Sequence, residues 1–309
     1  MVIVAVAGGT GHVGRTIVDA LRKSQKHDVI VLTREVKESD DSDSASPTFA
    51  VDYDDIEQVT ELLESKNVHT VISTIAVLTE ATGKSELDLV ATSAKSSVTK
   101  RFIASNWGGV IPSDETLRMT FQPYRIATIE ALKKTDLEWT QFQNGCFVDY
   151  YGMPYVETNL KPLTFVLDVA NKAAAIPGTG DEVMTFTYTR DLAKFVVASL
   201  DLPKWTYPMV SYSDITTWKK ALEVAEAWSK FDVAYDSIEK LCGGEITELP
   251  SHVSAYSFIP KSLLCSIQSK FGLYVANGMF DMPEEGSLNQ IFPEIKTTTV
   301  EEIIGHWKG

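Results

Sequence analysis

Glycines stand at positions 8, 11 and 14 in the run Gly8-Gly9-Thr10-Gly11-His12-Val13-Gly14, a spacing suited to holding a pyrophosphate. The apolar run Val2-Ile3-Val4-Ala5-Val6-Ala7 before them reads as a buried parallel strand. Val13, Ile17, Ala20 and Leu21 after them fall at helical spacing over 12–24. Between such a strand and helix each glycine has a task. Gly8 permits the tight turn, Gly11 lets the backbone approach the phosphates, and Gly14 lets the helix pack closely on the strand. The helix N-terminus presents N–H groups to the anion, which places Thr10, His12 and Val13 in the binding loop beside the glycines. His12 is expected to pack or hydrogen-bond locally rather than to act as a base.

The next strand, Val29-Ile30-Val31-Leu32, runs into Thr33-Arg34, and this strand end selects the cofactor. A carboxylate there would hydrogen-bond the ribose hydroxyls of NAD, whereas an arginine offers paired donors to the 2′-phosphate of NADP. Arg34, with Lys37 adding charge, predicts NADP(H), against the adjacent Glu35. Asp52, after a third strand at 48–51, either accepts from an adenine amino group or caps the helix beginning at Asp54. Ser73, Thr74 and Ile75 end a fourth strand on the rim where open α/β sheets bind ligands, so Thr74 and Ile75 are expected to touch the cofactor.

The elements that must position these residues alternate. Strands at 70–73, 101–104 and 139–142 are separated by helical patterns over 54–65, 87–97 and 124–134. Short apolar strands alternating with helices predict a doubly wound parallel sheet, the Rossmann arrangement, with helices on both faces. The pattern loosens past Tyr150, so residues 1–150 are assigned to the nucleotide-binding domain. Residues 151–309 are assigned to a smaller mixed α/β substrate lobe, some of whose segments return to the sheet. Helices are expected from near Asp191, over 213–230 and over 299–307.

Composition narrows the partners. With 28 basic and 42 acidic residues the net charge is -14, which repels nucleic acid and anionic membrane surfaces. A single anionic cofactor is still admissible, because a helix terminus and one or two arginines outweigh a screened global field. Cys146, Cys242 and Cys265 have neither disulfide parity nor metal-ligand spacing, so no metal site is expected. With no basic leader and no apolar run of spanning length, the expected location is cytoplasmic.

Together these segments resemble the NmrA-like and isoflavone-reductase-like family of atypical short-chain dehydrogenases, over nearly the whole chain. The resemblance rests on Gly8 to Gly14 with Arg34, on Lys100-Arg101-Phe102-Ile103-Ala104-Ser105-Asn106-Trp107-Gly108, on Ile129-Glu130, on Asn144-Gly145-Cys146-Phe147 and on Asp191-Leu192-Ala193. It implies that Asn144, Gly145, Cys146 and Phe147 lie near the nicotinamide. It also implies that Asn106, Trp107, Phe147, Tyr150 and Tyr151 shape the substrate pocket. Where the family carries a lysine ahead of the Ile-Glu pair, this chain has Arg125, a cation too basic to donate a proton at neutral pH. Tyr124 beside it is the alternative donor, though neighbours on a helix point in different directions, so one of the two should face the site. The implied function is an NADPH-dependent reductase of a small enone, carbonyl or imine, most like fungal secondary-metabolism members. A cofactor-sensing regulator without turnover, and a non-redox isomerase or cyclase, are the competing functions; the replaced lysine favours the regulator.

Overall fold

The computed structural model describes residues 1–36, 46–257 and 259–308, so Lys37 lies outside the described residues. The chain packs into two compact units. The first comprises Met1–Trp107, Thr120–Gln143 and Ala193–Met209; the second comprises Gly108–Met119, Asn144–Leu192 and Val210–Gly309. The first unit thus leaves out Gly108–Met119, closes its early stretch at Gln143 and takes up Ala193–Met209 from the later chain.

In the first unit the chain runs β1 (Ile3–Ala7), α1 (His12–Ser24), β2 (Asp28–Thr33), β3 (Thr48–Ala50), α2 (Ile56–Ser65), β4 (Val68–Ser73), α3 (Glu80–Lys95), β5 (Arg101–Gly108), α4 (Gln122–Leu132) and β6 (Glu138–Gln143). The sheet has seven strands in the order Met209–Val210, β6, β5, β4, β1, β2, β3. Strand β1 pairs in parallel with both β2 and β4, with Ala5 opposite Ile30 on one side and Val71 on the other. From β1 the order runs one way through β2 and β3 and the other way through β4 to β6. That reversal opens a crevice beyond the carboxyl ends of β1 and β4, which is where such sheets bind ligands.

Residues two apart on a strand share a face. Ala5, Ala7, Ile30 and Leu32 accordingly join Val59, Leu63, Leu89 and Phe102 in one buried cluster. Small alanines on the central strand let the covering helices approach closely. The opposite end of the sheet is fastened by Arg101. Its Nε meets Glu138 at 2.6 Å, and its Nη atoms donate to the carbonyls of Leu200 at 2.9 Å and Leu202 at 2.8 Å. The guanidinium also lies over the Trp205 ring, 4.8 Å from its centroid.

The second unit holds two three-stranded sheets. In one, Val183–Thr187 lies between Asp214–Thr217 (antiparallel) and Cys146–Phe147 (parallel); in the other, Ala173–Pro177 lies between Asp232–Asp236 and Leu167–Asp168. Its core centres on Trp218, which meets Phe186 and Tyr151 edge-on at 4.9 and 5.4 Å. The helix expected over 213–230 is a strand followed by a shorter helix, Trp218–Glu226. β-Branched Ile215, Thr216 and Thr217 pair with Thr185, Met184 and Val183, and sheet pairing overrides the helical pattern there. A sixteen-residue helix, Lys261–Ala276, is one that the sequence reading did not identify.

Candidate functional site

The glycine turn is held by its own backbone. Gly8 adopts φ +76°, a left-handed conformation that favours glycine. Its N–H donates to the Leu32 carbonyl at 2.9 Å, and the Gly11 N–H donates to the Gly8 carbonyl at 2.9 Å. Gly11 is the N-cap of α1 with extended backbone. No side chain caps the helix and no acidic residue occupies its first turn, so this positive helix end is fitted to an external anion.

The three glycines differ in what excludes a side chain. A Cβ on Gly14 would stand 2.4 Å from Thr74 Oγ1 and 2.5 Å from the Gly8 carbonyl oxygen. One on Gly8 would meet the Thr74 carbonyl oxygen at 3.0 Å, whereas one on Gly11 would meet only the Gly8 carbonyl oxygen, at 3.2 Å. Positions 8 and 14 are therefore reserved by the protein's own packing. Gly11 is open toward the crevice, a cradle that a side chain would fill. Thr74 is the matching clamp: its N–H and its hydroxyl both donate to the Ala7 carbonyl, at 2.8 and 2.7 Å.

A cavity of about 410 Å³ opens here. Gly8, Thr10, Gly11, His12, Val13, Arg34, Thr74 and Ile75 all line it, as the sequence reading expects of a single site. Thr33, Tyr53, Ala76, Leu78, Thr82, Ser85 and Ser105 line it too, and these the sequence reading did not assign. Tyr53 is buried with its hydroxyl donating to the Leu32 carbonyl at 3.3 Å, and burial pushes its phenol above the ordinary range. Its signal in the sequence was alternation: Val51 and Tyr53 are buried while Asp52 between them is exposed.

Asp52 is not among the cavity residues, and it does not cap the helix. Its carboxylate accepts from the Asp54 N–H at 3.1 Å in a local turn, while the cap of α2 is Asp55, which accepts from Gln58 at 3.0 Å. The turn consumes two more residues than the sequence suggests, so the helix starts at Ile56.

Trp107 and Arg125 form the far wall of the cavity. The Trp107 indole donates to the Ser73 carbonyl at 3.1 Å and stacks on Phe142 at 5.5 Å. Arg125 donates from Nη1 to Asn106 Oδ1 at 2.9 Å and lies 4.6 Å over the Phe121 ring. Asn106 is buried beneath this contact and supports the guanidinium without lining the cavity. Tyr124 does not line it either. A Cβ on Gly83 of α3 would come within 2.8 Å of the Tyr124 Cβ and 3.0 Å of its Cγ, so the base of that ring lies against α3.

Behind this wall lies Glu86, fully buried on α3, whose carboxylate accepts from the Ser105 N–H at 2.7 Å. Burial raises its pKa to about 7, against a partial lowering by that hydrogen bond and by Arg125. The folded protein therefore binds this proton more tightly than the unfolded chain, whose value is 4.5. Stability falls as pH rises from 4.5 to about 7, and the full cost is present above that window. Glu86→Gln should remove a penalty on the order of 3 kcal/mol at alkaline pH. Urea unfolding of both proteins at several pH values checks this: the stabilisation should shrink toward zero in acid, and a pH-independent difference would contradict it.

The remaining assigned residues belong to the second unit. Asn144 is fully buried, its carbonyl accepting from Thr187 Oγ1 at 2.5 Å. Gly145 has φ +68°, and a Cβ there would stand 2.1 Å from the Thr185 carbonyl oxygen. Cys146 is buried near the Tyr151 hydroxyl, and desolvation pushes its thiol up to about 12, so it is neutral and unreactive. Phe147 and Tyr150 are half-buried, with Tyr150 tilted against Phe165 at 6.0 Å. Tyr151 is 1% exposed and meets Trp218 edge-on, a core residue of its unit. No cluster of metal-ligating side chains occurs among the described residues, and none of their helices is long and apolar enough to cross a membrane.

Comparison with known proteins agrees with this geometry. A family model described as NAD(P)H-binding matches residues 8–203. The chain is 33% identical to the oxidoreductase BOA1 of Botryotinia fuckeliana over 96% of each protein. It is 30% identical to the oxidoreductase swnN of Metarhizium robertsii over 98% of this chain and 96% of that one. Among solved structures, the leucoanthocyanidin reductase–NADPH complex from Vitis vinifera shares the fold with a TM-score of 0.74. It is 16% identical and covers 99% of both chains.

Proposed function

The chain belongs to the NAD(P)H-binding family, within its NmrA-like, isoflavone-reductase-like oxidoreductases, and on that premise we propose that it is an NADPH-dependent reductase of a small unsaturated substrate. The observation that carries the reading is the single cavity shared by the glycine turn, Arg34 and Arg125. The turn and the uncapped α1 N-terminus fit a pyrophosphate, and Arg34 at the end of β2 fits a 2′-phosphate. When bound, the nicotinamide supplies the hydride, which the protein itself cannot.

The protein's contribution is placement and charge. Arg125, held by Asn106, offers guanidinium donors to a carbonyl or imine and to the negative charge that develops as it is reduced. A guanidinium stays protonated at working pH, so the proton that completes reduction comes from water or from the substrate. Tyr124, packed against Gly83 of α3, does not line the cavity, which leaves Arg125 as the cavity's own polar group on α4. Trp107 presents an indole wall, a surface that suits a flat apolar substrate. The family resemblance further assigns Asn144 to Phe147 to the nicotinamide and Phe147 and Tyr150 to the substrate.

Anaerobic incubation with NADPH and a panel of enones and imines tests the proposal, read by loss of cofactor absorbance together with product mass. Tight NADPH binding without oxidation by any member would favour the cofactor-sensing regulator or a non-redox reaction. Cofactor choice has its own test: Arg34→Asp should weaken NADPH binding by about 1.5–3 kcal/mol, roughly ten- to a hundredfold, and move preference to NADH. Equal affinity of the unsubstituted protein for NADH and NADPH would remove Arg34 from the 2′-phosphate site.

A further inference from the structure

Nothing in the reading above uses Glu86, yet its carboxylate closes a ring of contacts through three elements. Its Oε1 accepts from the Ser105 N–H of β5 at 2.7 Å, and its Oε2 accepts from the Thr128 hydroxyl of α4 at 3.3 Å. Arg125 lies one turn before Thr128 on α4, and it donates to Asn106, the residue after Ser105 on β5, at 2.9 Å. Arg125 also acts on Glu86 through its charge. Carboxyl and guanidinium are thus joined through two backbones and through space. Of the pair, Arg125 lines the cavity and Glu86 does not.

We propose that Glu86 is a positioning residue that tunes Arg125 from behind, setting how much guanidinium charge reaches the cavity. The proposal rests on the cofactor-site reading above. An ionised Glu86 is a counter-charge in a low-dielectric interior, where screening by water is weak. A protonated Glu86 leaves the guanidinium charge uncompensated on that side. Around the carboxyl, β4 contributes the Ser73 hydroxyl, β5 the Ser105 N–H, and α4 Thr128 and Arg125, with Tyr124 one turn further along at Gly83. On its own helix, Lys84 is paired with Asp88 and Asp54. On α2, Glu57 is paired with Lys95 and Glu64 accepts from Ser97. Arg125 is the charged group that faces it. Burial places the titration at about 7, where small changes in acidity switch the state.

The sign follows. As pH rises through about 7, Glu86 ionises, Arg125 is partly neutralised, and the cavity should hold an anionic ligand less tightly. The test has a ligand-free arm and a ligand arm. In the first, the side-chain carboxyl ¹³C resonance of Glu86 is assigned by its loss in Glu86→Gln and followed across neutral pH. The midpoint should rise in Arg125→Met, where the charge is gone and the shape is largely kept; an unmoved midpoint overturns the coupling. In the second, NADPH is titrated into the unsubstituted protein and into Glu86→Gln at each pH. The 2′-phosphate of the probe titrates alike in both and cancels in the ratio of dissociation constants. That ratio should change several-fold across the Glu86 midpoint, and a constant ratio overturns the tuning. Absence of NADPH binding by the unsubstituted protein would count against the reductase reading, and the ligand-free arm reads that failure separately.

Discussion

Gly11→Val should abolish NADPH binding while leaving the chain folded. The new side chain meets little of the protein, because only the Gly8 carbonyl oxygen lies near the Cβ position, at 3.2 Å. It would instead stand in the crevice where backbone N–H groups must approach the phosphates. Losing two hydrogen bonds to a charged group at about 1.5–3 kcal/mol each amounts to more than a hundredfold in affinity. Gly14→Ala is the informative contrast. Its single methyl would collide with Thr74 Oγ1 and the Gly8 carbonyl oxygen at 2.4 and 2.5 Å, so it should lower thermal stability as well as binding. Fluorescence titration with NADPH beside thermal melts separates the two. Normal affinity in Gly11→Val would mean that the pyrophosphate sits elsewhere.

The second large effect is expected at Arg125. Arg125→Ala should lower turnover by roughly a hundredfold, as loss of one preorganised donor to a developing negative charge commonly does. NADPH affinity should fall only several-fold, because the phosphate contacts proposed at α1 and β2 remain. Arg125→Lys should retain measurable turnover, since a cation still reaches the cavity though the paired donors are gone. Steady-state kinetics on the substrate found by the anaerobic panel, with kcat and KM separated, is the measurement. An Ala variant with undiminished kcat would take Arg125 out of the reaction.

Much of the lining of the glycine-turn cavity was legible in the sequence because its determinants are local. A glycine turn between an apolar strand and an amphipathic helix announces itself, and Arg34 and Thr74 sit at the ends of apolar strands. Residues placed by side-chain direction were harder. Tyr124 and Arg125 are adjacent, and the spacing alone could not say which faces the cavity; Arg125 lines it, while Tyr124 packs against Gly83. Glu86 carried no signal, because a glutamate in mid-helix ordinarily reads as a solvated position. Helix α3 hides its buried face in the same way. Gly83, Glu86, Thr92 and Ser93 are buried with Leu89 and Val90, so apolar periodicity first shows near Leu87 although the helix starts at Glu80. The helix Lys261–Ala276 has the same character, with Gln268, Ser269 and Gly272 on its inner side. Polar residues kept inside by specific partners defeat any rule based on hydrophobic spacing.

The grip of Arg101 on the carbonyls of Leu200 and Leu202 bears on how the protein is made. Those contacts close loops of 99 and 101 residues, and the Met209 edge of the sheet arrives later still. When the glycine turn and the strands to β6 have left the ribosome, Arg101 lacks those carbonyl acceptors and β6 is an open edge. An open edge strand is a template for unwanted pairing, and a long loop must be closed before its contacts repay the lost chain entropy. The first unit is therefore finished only after Gly108–Met119 and Asn144–Leu192 of the second unit have been synthesised, and folding of its sheet edge waits for them.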